Sequence, residues 1–161
     1  MFADDAGTSC NVDDLVSGLC NLYVVFVNHG GITGAQFSCP VPACMGATYM
    51  SWSCPWGVKI GDPVVGDPKS IAIGTGSCEA APTILLTLSF FCQATTPNCC
   101  YYPVLPAEGI SSGAIEGVDC AFAPTFPTGG VAVVNPTVGV CECDVPTQDT
   151  TWGRVKNLFM Q

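Results

Sequence analysis

Basic charge is what this sequence has least of. Four Lys and Arg stand against thirteen Asp and Glu, for a formal net charge of −9. The clustered cations that nucleic-acid phosphates require are therefore missing, and nucleic acid is excluded as a partner. Charge of either sign is scarce, at 11% of residues against about 25% in an average soluble domain. Long hydrophobic runs are missing too. The longest, Ile84–Cys92, has the length of a strand and falls well short of the roughly 18 residues of a membrane helix, so no membrane insertion is expected. There is one histidine, His29, and no G-x-S-x-G, P-loop, H-E-x-x-H or C-x-x-C-H pattern. Without a titratable partner for any nucleophile, and with nothing to single out a pair of carboxylates, the chain does not read as an enzyme, and no catalytic residue or cofactor is assigned. The start, Met1–Asp5, has neither a basic nor an apolar leader region. An exported protein with this sequence is then expected to be the mature chain or nearly so, with Met1 an ordinary residue.

What is present is cysteine, glycine, proline and β-branched residues. Of 161 residues, 18 are Gly and 13 Pro, and 48% are apolar, which points to one all-β domain of many short strands. Twelve cysteines are spread along the chain: Cys10, Cys20, Cys39, Cys44, Cys54, Cys78, Cys92, Cys99, Cys100, Cys120, Cys141 and Cys143. An even number in so uncharged a chain reads as six disulfides formed in an oxidising compartment. Zinc is the weaker alternative, because the close spacings are Cys39-x₄-Cys44, Cys99-Cys100 and Cys141-x-Cys143 and not two C-x-x-C pairs; no metal site is expected. Cys10 and Cys20 are near enough in sequence for a local bridge. Adjacent Cys99 and Cys100 are expected to tie their loop to two different places.

The organising stretch is Leu22–Phe37. Its two apolar runs, Leu22–Val27 and Ile32–Phe37, flank Asn28-His29-Gly30-Gly31 and read as a β-hairpin with His29 in the turn. Further strands are expected at Thr48–Ser53, Ser70–Gly74, Ile84–Cys92, Ile110–Phe122 and Gly130–Asn135, with Ile84–Cys92 apolar on both faces. Gly61–Pro68 carries a doubled Gly-Asp-Pro, in which Asp62 and Asp67 suit turns better than calcium. Tyr49, Trp52 and Trp56 offer a stacking platform for sugar, although rings of this size more often cap an open sandwich end. Residues 1–148 form the β-sandwich domain. Residues 149–161 (DTTWGRVKNLFMQ) are a basic-apolar tail without cysteine that holds half of all the basic residues.

The succession LYVVFVN…GGITGAQF, GDPKSIAIGTGSC, ILLTLSFF and TTWGRVKNLF resembles small cysteine-rich exported bacterial proteins of unassigned function. These are related to cohesin-like and other immunoglobulin-like sandwiches and often finish in a Trp-Gly-basic tail. The resemblance implies an extracellular or cell-surface sandwich of about eight or nine strands, and its motifs carry over no catalytic residues. The expected function is structural: a subunit of a self-assembling fibre or surface layer, joined head to tail to copies of itself by a terminal arm that adds to a neighbour's sheet. The contact residues expected are Met1 and Phe2 at one end and Trp152, Arg154, Val155, Lys156, Leu158 and Phe159 at the other. The alternative is a secreted module binding carbohydrate or protein through Tyr49, Trp52 and Trp56.

Overall fold

The computed structural model of the chain describes residues 1–27 and 30–143. Among them there is no helix, and eleven strands follow in order: β1 (Asn11–Val12), β2 (Gly18–Phe26), β3 (Ile32–Phe37), β4 (Thr48–Ser53), β5 (Val58–Asp62), β6 (Ser70–Glu79), β7 (Thr83–Cys92), β8 (Cys100–Pro103), β9 (Glu116–Val118), β10 (Pro124–Thr125) and β11 (Val131–Val134). They form three sheets, ordered β2-β7-β4, β10-β9-β3-β6-β5 and β1-β11-β8. The alternation along each strand sets what it buries. In β7, Leu86, Leu88 and Phe90 point inward. They meet Leu22 and Val24 of β2, Ala35 and Phe37 of β3, Ile71 and Ile73 of β6, and Tyr102 of β8 in a single core. Each large side chain removed from water this way contributes roughly 1.5–3 kcal/mol. The other face of β7 is covered only in part: Leu85 is buried and Ile84 half-buried, whereas Phe91 is exposed and lies opposite exposed Leu19.

The central stretch is not a hairpin. β2 pairs with β7, Leu22 opposite Leu88 and Val24 opposite Leu86, whereas β3 pairs with β6 and β9 in another sheet. The same strand–glycine–strand pattern serves a crossing between sheets as well as a turn. The apolar partners that β2 needs are supplied 60 residues downstream. Gly31 is essential at this crossing: its φ is +134°, and a Cβ there would collide with the sulfur of Cys120. His29 lies outside the described residues. The strand expected over Ile110–Phe122 shrinks to β9, because positive-φ turns at Gly113 and Phe122 interrupt it. Residues 138–143 form no strand; the Val140 and Cys141 amides donate back to the Thr137 carbonyl in a turn.

Five disulfides form, not six: Cys10–Cys143, Cys20–Cys92, Cys44–Cys100, Cys78–Cys120 and Cys99–Cys141. Cys10 and Cys20 therefore bond distant partners and not each other, while Cys99 and Cys100 do diverge to two different places. Cys39 and Cys54 remain thiols. An even count supplies no geometry. Cys39 is sealed at the end of β3, where its amide donates to the Pro63 carbonyl and its carbonyl accepts the Tyr102 hydroxyl at 2.9 Å; Cys54 follows β4 in a different sheet. Burial pushes the Cys39 thiol far above its ordinary range, so it is chemically inert. Denatured without reductant, the protein is expected to titrate two thiols, rising to twelve after reduction. Zero before reduction would show a sixth bridge.

Candidate functional site

The two larger sheets face each other with β4 opposite β5 on one side and β2 opposite β9 and β10 on the other. The first side is closed by side chains. Tyr49 pairs with Phe90 and Trp52 with Leu88, and a bulge between Tyr49 and Ser51 turns both rings to the inner face although they are three residues apart. Tyr49 packs edge-on to Phe90 at 5.7 Å. Burial and the neighbouring Asp62 push the Tyr49 hydroxyl up to about 12. The Trp52 indole donates to the Asp62 carboxylate at 3.0 Å, bridging β4 to β5, and the Lys59 ammonium stands 6.0 Å from the Trp52 ring centre. The Trp56 indole donates to the Ile84 carbonyl at 2.8 Å. All three rings are half-buried against the core. They hold the sandwich edge shut, and both indole N–H groups are already used inward.

Asp62 is a turn residue as well. Burial works to raise its carboxyl, but donation from the Val65 and Val64 amides and the Trp52 indole outweighs that and holds it below the usual carboxylate range.

Among the described residues the second side is open. A groove of about 1040 Å³ runs there, walled by Val24 and Val25 of β2, by Phe37 and Leu85 at its floor, and by Ile115 and Phe126 on the β9–β10 side. Beyond a single bridge from Tyr23 to Phe2, no strand among the described residues pairs with the outer edge of β2. Cys10 and Cys143, bonded to each other, also line the groove. Its lining contains no Lys or Arg, while Asp119 lies within it. The cations of the described residues, Lys59 and Lys69, sit elsewhere: Lys59 over Trp52, and Lys69 beside Glu108 at 3.6 Å. Nothing in the sequence signalled this groove. Its walls are brought together from strands 90 residues apart.

Met1 and Phe2, expected as subunit contacts, belong to this chain's own fold. They are 2% and 5% exposed, and Phe2 exchanges backbone hydrogen bonds with Tyr23 at 2.8 and 2.9 Å. As an arm for another subunit they would first have to be stripped from this core. Trp152, Arg154, Val155, Lys156, Leu158 and Phe159, with the whole 149–161 tail, lie outside the described residues.

A polar cluster unforeseen in the sequence ties three loops together. Asp14 is 1% exposed. Its carboxylate accepts the Ala94 amide at 2.9 Å, the Thr96 amide at 3.2 Å and the Thr96 hydroxyl. The Asn135 side chain accepts the Asp14 amide at 2.7 Å and donates to the Thr96 carbonyl at 2.6 Å. No buried side-chain polar atom of this cluster lacks a partner inside the protein, so its role is to hold the fold.

The geometry defines a disulfide-stapled all-β protein with one sandwich side shut by aromatic rings and the other left as an apolar groove. No protein-family model matches the chain, and no curated protein matches it significantly.

Proposed function

We propose that this is an extracellular structural protein, a subunit of a self-assembling fibre or surface layer joined head to tail by its C-terminal arm. The observation that carries the reading is the division of the chain at Cys143. All five disulfides and the full net charge of −9 lie in residues 1–143, which hold eleven of the thirteen acids and two of the four bases. Residues 150–161 have no cysteine and no acid, carry Arg154 and Lys156, and are rich in large apolar side chains. Five disulfides suit an oxidising, extracellular setting, in which small domains gain durability from cross-links. An acidic body followed by a basic-apolar segment favours contact between unlike surfaces of two copies, and such a contact propagates when its rotation does not close a ring. Exposed sheet edges support assembly as well. β5 is an edge strand whose Val58 and Ile60 are 57% and 72% exposed, the kind of edge that strand addition uses.

Between the two arms, the burial of Met1 and Phe2 favours the C-terminal one. The binding-module alternative has less support, because Tyr49, Trp52 and Trp56 are committed to closing the sandwich. Removal of Thr150–Gln161 is expected to abolish assembly while leaving the thermal transition in place, read by negative-stain microscopy and size exclusion. Fibres of normal length from the truncated chain would move the connector elsewhere. A full-length protein that stays monomeric at high concentration would end the fibre reading.

A further inference from the structure

We infer that the groove between β2 and the β9–β10 side is the acceptor for the tail of a second copy, taking Trp152, Val155, Leu158 and Phe159 against Val24, Val25, Leu85, Ile115 and Phe126. This rests on the fibre reading and names the surface that it leaves open.

Three observations converge on that surface. First, the groove is apolar and large. At about 1040 Å³ it stands at the upper limit of the roughly 300–1,000 Å³ range of small-molecule clefts, and an apolar segment with several large side chains fits such a groove as a peptide ligand. Second, the chain leaves the described fold at the groove itself. Cys143 lines it and is held there by its bond to Cys10. Residues 144–151 span at most about 28 Å when extended, enough to carry the apolar part of the tail from one subunit to a neighbour placed against it. Third, the charges match. Asp119 lines the groove, while Lys59 and Lys69 are engaged elsewhere. Arg154 and Lys156, interleaved with the apolar residues of the tail, supply the opposite sign where it is missing. The rim pairs steer encounter, and the apolar contacts hold it.

An exposed apolar cleft of this size is a standing invitation to non-specific association. A segment from the next copy would cover it.

The test is trans-complementation with full-length chains. An acceptor-blocked variant carries Phe126→Asp, at a position already 63% exposed, and a second carries Thr128→Trp, at an exposed groove-lining residue. A donor-blocked variant carries Trp152→Asp and Phe159→Asp. Where the unaltered protein forms fibres, each variant alone is expected to remain monomeric. An equimolar mixture of donor-blocked and acceptor-blocked chains is expected to stop at a 1:1 heterodimer, since it has one working tail and one working groove. All variants are checked for five disulfides by mass and for a melting temperature near that of the unaltered chain. Two acceptor sites guard against one substitution acting through folding.

Fibres from both acceptor-blocked variants would overturn the groove assignment and leave the fibre reading standing. Monomeric variants that form no heterodimer on mixing would also overturn it, as would a tail found in its own groove. An unaltered protein that never assembles removes the fibre reading, and this inference falls with it.

Discussion

Reduction of the five disulfides is expected to unfold the protein at room temperature. The bridges close sequence separations of 133, 72, 56, 42 and 42 residues. By the chain-entropy model each then contributes roughly 4–5 kcal/mol by restricting the unfolded chain. Any three of them match or exceed the stability of about 5–15 kcal/mol that typical domains possess. The sheets are short for a chain of this length: five of the eleven strands have four or more residues buried or half-buried in an unbroken run, whereas β1 and β10 have two residues each. The long loops between them are held by sulfur. The expected readout is loss of near-ultraviolet circular dichroism and of any cooperative thermal transition on adding a strong thiol reductant under native conditions. Among single removals, the paired change Cys10→Ser with Cys143→Ser is expected to cost most, about 5 kcal/mol, because it opens the longest loop. It also releases the point where residues 144 onward depart. A reduced chain that still melts cooperatively, within a few degrees of the oxidised one, would show that packing alone carries the fold.

Asp14→Ala is expected to be the most damaging single substitution of a polar residue. It leaves the Ala94 amide, the Thr96 amide and the Thr96 hydroxyl without their acceptor in a site closed to water. Breaking a buried charged hydrogen-bond set costs about 3–5 kcal/mol, or a fall of very roughly 10 °C in melting temperature for a chain of this size. Asp14→Asn keeps the shape and one acceptor oxygen and is expected to lose less.

The pH dependence follows from the same contacts. Burial works to raise the Asp14 carboxyl, but donation from the Thr96 hydroxyl and from the Ala94 and Thr96 amides outweighs it and holds the group below its ordinary range. A carboxyl whose folded value is depressed contributes stability that is present above its unfolded value, near 4, and is lost as pH falls through the folded one. Acid titration of the unaltered protein is therefore expected to show a loss of stability beginning near pH 4 that is reduced in Asp14→Asn. Equal acid sensitivity in the two proteins would remove Asp14 from that role.

Much of the local structure was legible in the residues. Ile32–Phe37 and Thr48–Ser53 became β3 and β4 at the limits expected, because one face of each must meet the core. The run Ile84–Cys92 marks β7 for the same reason, and low charge with abundant Gly and Pro leads to an all-β chain without help from tertiary contacts. Cysteine content announces the staples in the same way, and the position of Cys99 beside Cys100 forces their bonds apart.

What the sequence could not decide was which strand meets which. β2 and β3 look like a hairpin because hairpin and inter-sheet crossing share one local pattern. The choice was made by Leu86, Leu88 and Phe90, too far along the chain for periodicity to register. Ten cysteines pair and two do not, since a bond needs two Cβ atoms brought within reach by strands that fold independently of sulfur count. The groove has no signature at all, because its walls come from β2, β7 and the segments around β9 and β10. Composition and alternation are local quantities and settle what kind of protein this is. Sheet order, disulfide partners and the open side of the sandwich depend on contacts between residues from 40 to more than 130 positions apart, and only the folded chain contains them.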